Sequence, residues 1–309
     1  MDFSMQENHS LSWSNVALAL SFVAFSMMFS FSFGLGVESS MGVGAFRCVV
    51  QLTAVATVLQ RVFEAERVWA VASISLLLNL LGTIEIVLNK SQRRHRNMFL
   101  SVLLSLLCAT IPISILGTRF AMSKEKFWIP VDYIPIVGML CGSTISGIVV
   151  STSYILKELE ENQDKVEIYL ALGASRMEAC KPIAVEALRL ALTPSINRMS
   201  VLGIIAIPGM MTGAILGGAS VQQAARLQMV ITFMESASTS LAAMISTMWA
   251  LSCVVDREHR VRNERVDNRD HVVWRVVRKV GTGARDVVCG FARKSNSEED
   301  DGEREPLLG

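Results

Sequence analysis

Long apolar stretches separated by short polar connections occupy most of the chain as far as residue 255. A membrane-spanning helix needs about 20 mostly apolar residues. The stretches that meet this length are Trp13–Gly36, Gly42–Gln60, Val68–Asn89, Met98–Thr118, Pro130–Leu156, Leu188–Gly217 and Leu227–Val255. The pattern therefore predicts an all-α, polytopic membrane protein with about seven transmembrane helices.

The first stretch is predicted to be a membrane helix rather than a cleaved signal peptide. The residues before it include Asp2 and Glu7 but no Lys or Arg, whereas a signal peptide begins with a basic segment.

Basic residues in the connections predict the orientation. The segment from Lys90 to Arg96 is the densest short basic connection, so the positive-inside rule places it in the cytosol. With seven spans, the N-terminus lies outside, and both the 158–182 connection and the C-terminal tail lie in the cytosol. Arg119, Lys124 and Lys126 oppose this orientation, because they fall on a connection that it places outside.

Composition agrees with an integral membrane protein. Hydrophobic residues make up 51% of the chain, charged residues 18%, and the mean hydropathy is +0.42. A formal net charge of +1, with no basic and aromatic groove motif, gives no indication of nucleic-acid binding. The 6 cysteines have neither zinc nor disulfide spacing and are interpreted as free thiols.

The composition changes sharply after Asp256, which divides a permease domain, 1–256, from a tail, 257–309. Within the tail, an amphipathic helix is predicted over about 270–292, where valines at 272, 273, 276, 277 and 280 share one face. This helix would lie either on the inner membrane surface or against the domain. Residues 295–309 are polar and acidic and are predicted to be disordered.

The connection around Gly173 is a candidate site for contact with an ATPase. Gly173 permits a sharp turn, and Ser175 can cap the helix that follows, which is predicted to be a short cytosolic coupling helix lying across the membrane domain. This segment resembles the coupling loop of ABC-transporter permeases, in which a Glu precedes a Leu-Gly-Ala-Ser sequence, a helix and a Pro. The matching residues, with the acidic residue of the capped turn, are Glu167, Leu172, Gly173, Ala174, Ser175, Glu178, Ala179 and Pro182. An ordinary helix-turn-helix between two spans is the alternative.

The sixth apolar stretch contains Ile-Pro-Gly-Met-Met-Thr-Gly, residues 207–213, downstream of Arg189, Pro194 and Asn197. Together with the Arg47-x3-Gln51-Leu52 and Ile134-Pro135-Ile136-x-Gly138-Met139 sequences, this motif resembles the FetB-type permeases of iron-export ABC transporters and the plant aluminium-sensitivity permeases. The resemblance covers about residues 13–255.

That resemblance implies a transport subunit rather than an enzyme, with no catalytic residues. It implies a homodimer that exports iron or another metal ion, driven by a separate ABC ATPase that binds ATP-Mg. The alternative substrate is a nucleotide sugar such as UDP-glucose, linked to aluminium tolerance. The chain has no Gly-x4-Gly-Lys-Ser/Thr loop, so we expect it to bind no cofactor itself.

Pro208 is expected to kink the sixth helix beside the translocation path, because proline removes a backbone hydrogen bond. The glycines at 209, 213 and 217 would permit a close helix crossing. Candidate translocation and hinge residues are Asn197, Pro208, Gly209, Met210, Met211, Thr212, Gly213 and Glu235.

Charged residues within spans are costly and usually have partners. Arg47, Glu85, Arg189 and Arg198 are placed near cytosolic ends, where snorkelling explains them. Glu235 lies deeper. It would coordinate a cation, pair with a buried Arg, or stay protonated and bonded to a serine such as Ser146.

No set of metal ligands is evident from the sequence, so the metal site is unknown. Methionines that surround the sixth and seventh spans, at 199, 210, 211, 229 and 234, would suit a soft metal but are better explained as apolar filler.

The C-terminus matches the acidic dileucine pattern through Glu303, Leu307 and Leu308. In a eukaryotic cytosolic tail this pattern resembles sorting signals that clathrin adaptors read. It favours a vacuolar, lysosomal or other endomembrane location over the plasma membrane.

Two further functions stay open. A membrane scaffold would bind no ATPase. A secondary transporter with Glu235 as its coupling site would follow an ion gradient and is expected to contain an inverted repeat, which is not evident here.

Overall fold

The computed structural model describes residues 12–65, 68–91, 93–95, 97–126, 128–254 and 266–267. The predicted tail helix over about 270–292 and the acidic end lie outside these ranges. The chain divides into two compact units, with the boundary at residues 61 and 62.

The first unit contains helix α1, Trp13–Ser32, and most of helix α2, Glu38–Ala65. The chain turns between them through Gly34 and Gly36, whose φ angles of +65° and +69° suit glycine. Glu38, at the start of α2, accepts a hydrogen bond of 3.2 Å from the buried Ser30 hydroxyl. Because the turn is short and bonded in this way, the two helices form a hairpin.

The second unit contains the rest of the described chain. Its helices are α3 (Val68–Ile84), α4 (Met98–Leu116), α5 (Pro130–Glu161), α6 (Gln163–Ala171), α7 (Arg176–Val201), α8 (Gly209–Leu216) and α9 (Val221–Val254). α3 and α4 each continue into a π-helical turn, Glu85–Lys90 and Gly117–Ala121. Strand β1, Arg94–His95, pairs antiparallel with β2, Val266–Asp267.

The long helices α5 and α9 form the centre of the second unit, and α3, α4 and α7 pack against them. Polar contacts join several of these helices in their buried faces. Thr110 of α4 donates to the Asn79 side chain of α3 at 2.8 Å, and the Thr144 and Ser238 hydroxyls lie 3.1 Å apart between α5 and α9. Hydrogen bonds between helices are one of the main sources of association in a bilayer, where apolar burial contributes little.

In the described residues, 6 helices are long and apolar enough to cross a membrane. They correspond to all the predicted spans except the sixth, Leu188–Gly217. That stretch is divided between α7, which begins earlier at Arg176, and α8, which has only 8 residues. The prediction of a polytopic, all-α membrane protein is confirmed, whereas the predicted sixth span is a broken helix.

Candidate functional site

The turn between α6 and α7 has the geometry that glycine requires. Gly173 has a φ of +91°. Its N–H donates to the Leu170 carbonyl at 3.1 Å, and the Ala174 N–H donates to the Tyr169 carbonyl at 3.0 Å. This pair of bonds is a Schellman motif, which ends a helix with a left-handed residue. The expected sharp turn at Gly173 is therefore present.

Helix α7 begins immediately after this turn with a capping box. The Ser175 Oγ accepts the Glu178 N–H at 3.4 Å, and the Glu178 carboxylate accepts the Ser175 N–H at 2.8 Å. Hydrogen bonds from Ser175, side chain first and backbone second, lower the pKa of Glu178 below its ordinary value. The cap was expected on a short helix, but it begins the 26-residue α7. The short helix is α6, which precedes the turn.

The inner face of this turn is anchored on the bundle. Val166 and Leu170 of α6 belong to one buried apolar cluster with Leu159 of α5, Cys180 of α7 and Val254 of α9. Burial raises the pKa of the Cys180 thiol to about 11, so this thiol stays protonated and packs as an apolar group. A force on α6 would therefore reach α5 and α7 through direct contacts, and α9 through the buried cluster that these helices share.

The outer face of the same turn exposes large apolar side chains. Leu172 is 80% exposed, and Ile168, Tyr169 and Met177 are also exposed. Beside them is an open groove of about 260 Å³, lined by Tyr154, Glu158, Asn162, Lys165, Val166, Tyr169, Ala179, Pro182, Ile183 and Glu186. Exposed apolar groups next to polar ones are typical of a protein-binding surface. We call the α6–Gly173–α7 turn, residues 163–182, the coupling turn.

All eight predicted coupling residues lie in this turn. Glu167 is half-buried and accepts a hydrogen bond of 2.8 Å from the Gln163 amide. Ala179 is buried, whereas Pro182 is exposed and lies inside α7 rather than at its end. The connection around Gly173 is thus a helix-turn-helix. This geometry agrees with a coupling loop, and it is also the geometry that the alternative interpretation predicted.

The interruption near Pro208 is wider than the expected kink. α7 ends at Val201, and residues 202–207 are not helical. Gly203 has a φ of +84° and donates its N–H to the Ala206 carbonyl at 3.1 Å, which closes a small turn. Pro208 then caps the start of α8. Gly203, which forms the turn, lies five positions before Pro208, so proline alone does not account for the break.

The remaining motif residues form α8. Thr212 donates its Oγ1 to the Pro208 carbonyl at 3.3 Å, and α8 packs against α9. A Cβ placed on Gly209 or Gly213 would meet no atom within 4 Å. The expected close crossing at these glycines is therefore wrong for the described chain. Asn197, the remaining hinge candidate, is exposed on α7.

Close helix contacts occur instead at two glycines that the sequence pattern did not single out. A Cβ on Gly147 would lie 2.5 Å from the Thr239 Cγ2 of α9. A Cβ on Gly117 would overlap the end of the Met234 side chain, also on α9. Both glycines lie at small-xxx-small spacing, Gly147 with Ser143 and Ser151 and Gly117 with Ala121, a local signal that the sequence analysis did not use.

Glu235 pairs with Arg198. The Arg198 Nη1 donates to the Glu235 Oε2 at 2.9 Å, and the side chains are 52% and 16% exposed, respectively. Of the alternatives for Glu235, the structure shows the arginine partner. Ser146 instead donates to the Gly142 carbonyl. The placement of Arg198 at a cytosolic end is wrong, because it lies in the last turn of α7, about 33 Å along the helix from Arg176 at 1.5 Å per residue.

The five methionines around the predicted sixth and seventh spans differ in burial. Met234 is buried and packs with Ile136 and Leu140, as expected of apolar filler. Met229 is exposed, and the others are partly buried. Within the described ranges, no group of 3 or more His, Cys, Asp and Glu side chains could hold a metal ion. The predicted sorting residues Glu303, Leu307 and Leu308 lie outside the described residues.

The family described as "Uncharacterised protein family (UPF0014)" matches residues 13–254. The chain is 26% identical over 239 residues to the "Probable iron export permease protein FetB" of Escherichia coli, covering 77% of this chain and 90% of FetB. It is 30% identical over 235 residues to "Protein ALUMINUM SENSITIVE 3" of Arabidopsis thaliana, covering 75% and 83%.

A third relative is the "UPF0014 membrane protein STAR2" of Oryza sativa, 29% identical over 233 residues and covering 74% of this chain and 79% of STAR2. No solved structure matches the chain. The matched range includes the coupling turn and the broken helix, and it agrees with the resemblance given by the sequence motifs.

Proposed function

Because the chain belongs to the UPF0014 family and is a multi-pass membrane permease, we propose that it is the transport subunit of an ABC-type exporter. In this proposal a separate ATPase subunit binds ATP-Mg and hydrolyses it, and this chain supplies the membrane pathway. Iron or another metal ion is the proposed cargo, supported by the printed name of FetB.

The observation that carries the proposal is the coupling turn. Its outer face presents Leu172, Ile168 and Tyr169 to a partner, while its inner face belongs to the buried cluster that includes residues of α5, α7 and α9. The capping box and the Schellman turn hold the two helices in a fixed relation. A rigid turn with exposed apolar side chains would let an ATPase bind and transmit its own movement to the membrane helices.

Movement of the coupling turn would reach the middle of the membrane along α7. The helix starts at the coupling turn and ends at Val201, immediately after the Arg198–Glu235 pair. The non-helical residues 202–207 then allow α7 to move without carrying α8 rigidly. We therefore propose that Gly203 forms a hinge. The motif residues follow it along the chain: Pro208, Gly209, Met210, Met211, Thr212 and Gly213.

We also propose that two copies of the chain form the pathway. The half-exposed Arg198 supports this, because a guanidinium deep in a bilayer requires protein or water around it rather than lipid. An endomembrane location and an adaptor-read dileucine remain proposals that rest on the sequence of the tail.

The test is affinity purification of the full-length chain from native membranes under gentle extraction, with mass spectrometry of its partners. A stoichiometric, stand-alone ABC ATPase supports the proposal. Recovery of the intact chain without any ATPase contradicts it and favours the scaffold or the ion-coupled transporter.

A further inference from the structure

The Arg198–Glu235 pair lies near the middle of the membrane-spanning bundle. Glu235 is placed just before the midpoint of α9. Ser238, one turn further on, bonds to Thr144 in the central part of α5. Since α5 is one of the apolar helices long enough to cross a membrane, the pair lies within about one helical turn, roughly 5 Å, of its centre.

The two partners are unequally exposed. Glu235 is mostly covered, while half of the Arg198 side chain is open. A guanidinium has five N–H donors, and within the described part of the chain only Nη1 donates, to a single carboxylate oxygen. A solute that approaches from the open side would meet unused donors of Arg198 before it met the carboxylate.

Polar groups extend from the pair along one face of α9. Gln228, Thr232 and Glu235 are spaced at i, i+4 and i+7, which places them on the same side of the helix. The Gln228 amide donates to the Thr232 hydroxyl at 3.2 Å, and the buried Gln228 Oε1 has no partner among the described residues. An unpaired amide oxygen inside a bilayer is costly unless water or a solute reaches it. Water or a solute that reached this face would satisfy the Gln228 oxygen.

The ligand chemistry of this site differs from that of a bare divalent cation site. Such a cation takes several oxygen, nitrogen or sulfur ligands. Glu235 is a single carboxylate already neutralised by Arg198, and the described residues hold no cluster of three acidic, His or Cys side chains. Arginine instead matches the planar, paired oxygens of carboxylate and phosphate groups.

We propose that Arg198 is the solute-recognition residue of this permease and that the solute presents a carboxylate or phosphate group. The proposal rests on the proposed transport function and specifies its substrate class. In the resting state Glu235 holds the guanidinium in place, and the anionic group of the solute binds the unused Arg198 donors. A metal ion would then travel as an anionic chelate rather than as a free cation.

The experiment measures probe binding to the purified full-length chain in lipid nanodiscs by calorimetry. The probes are citrate, pyrophosphate, ferric citrate and ferrous iron alone. We expect saturable binding of at least one anionic probe and none of ferrous iron. Arg198→Gln should weaken the anion affinity at least tenfold, and Arg198→Lys should weaken it less because the charge remains. The control is Arg189→Gln on the same helix, whose side chain pairs with Glu186 and whose loss should change the affinity less than twofold.

A charge reversal separates recognition from a structural ion pair. The double variant with Arg198→Glu and Glu235→Arg can restore the pair and hence the thermal stability, but it presents a carboxylate on the open side. We expect near-native stability with lost anion binding. Anion binding at native affinity by Arg198→Gln or by the reversed pair would overturn the proposal, as would failure of every anionic probe to bind the native chain.

The same preparations distinguish failure of this inference from failure of the proposed function. Co-purification of the ATPase depends on the coupling turn, not on Arg198. If the ATPase binds and no anion does, recognition at Arg198 is wrong and the exporter assignment stands.

Discussion

Gly147 of α5 lies directly against the Thr239 side-chain methyl of α9, at a distance that leaves no room for a Cβ. The contact falls where the two central helices of the bundle are also joined by the Thr144–Ser238 hydroxyl pair. Close approach of this kind is how small residues promote helix association in membranes.

Gly147→Ala should therefore destabilise the protein by about 1–3 kcal/mol, because the new methyl overlaps the Thr239 Cγ2. Thermal unfolding of the purified chain measures the effect. Thr239→Ser removes that methyl group and should restore most of the loss in the double variant. Gly142→Ala is the control, since its Cβ would meet no atom within 4 Å. Equal stability of the Gly147 and Gly142 variants would contradict the close contact.

Leu172→Glu should weaken ATPase binding at least tenfold without loss of thermal stability, because Leu172 is among the most exposed apolar residues of the coupling turn. Pull-down of the ATPase at a series of concentrations measures the affinity. Leu172→Met keeps the size and apolar character and should bind as the native chain does. An unchanged affinity for the glutamate variant would remove Leu172 from the proposed interface.

Gly173→Ala should strain the Schellman turn by about 1–2 kcal/mol, since a residue with a Cβ is disfavoured at a φ of +91°. Because the strain falls within the coupling turn, ATP-driven transport should fall more than the amount of folded protein does. Gly138→Ala on α5, whose Cβ would lie in open space, is the matched control. The prediction fails if transport per folded molecule is the same in both variants.

The buried imidazole of His95 should make the stability of the protein depend on pH. Its Nε2 lies 3.1 Å from the Ser101 hydroxyl, and burial lowers the pKa of the imidazole from 6.5 to about 4. Folding therefore favours the neutral ring. The stabilisation is complete above pH 6.5 and is lost as the pH falls towards 4, by up to about 3 kcal/mol.

Thermal unfolding at several pH values tests this dependence. His95→Gln should flatten the stability curve between pH 6.5 and 4, because the variant has no imidazole to protonate. A variant curve as steep as the native one would assign the acid sensitivity to other groups.

Apolar length and motif spacing predicted most of the fold, including the turn at Gly173 and the cap at Ser175, because these features depend on neighbouring residues. The break at Gly203 was missed, since a proline in the motif offered a simpler local cause. The Arg198–Glu235 pair and the Gly147–Thr239 contact could not be predicted, because each joins helices far apart in sequence and depends on their register. The small size of Gly147 gave no indication of which helix it faces.

The central claim is that an ATPase drives transport through this permease. Inside-out proteoliposomes containing the full-length chain, with and without its ATPase, should be assayed for accumulation of radioactive iron supplied as ferric citrate. We predict accumulation that requires ATP and both subunits and that persists when ion gradients are collapsed. Accumulation that needs an ion gradient and is indifferent to ATP and to the ATPase would contradict the account.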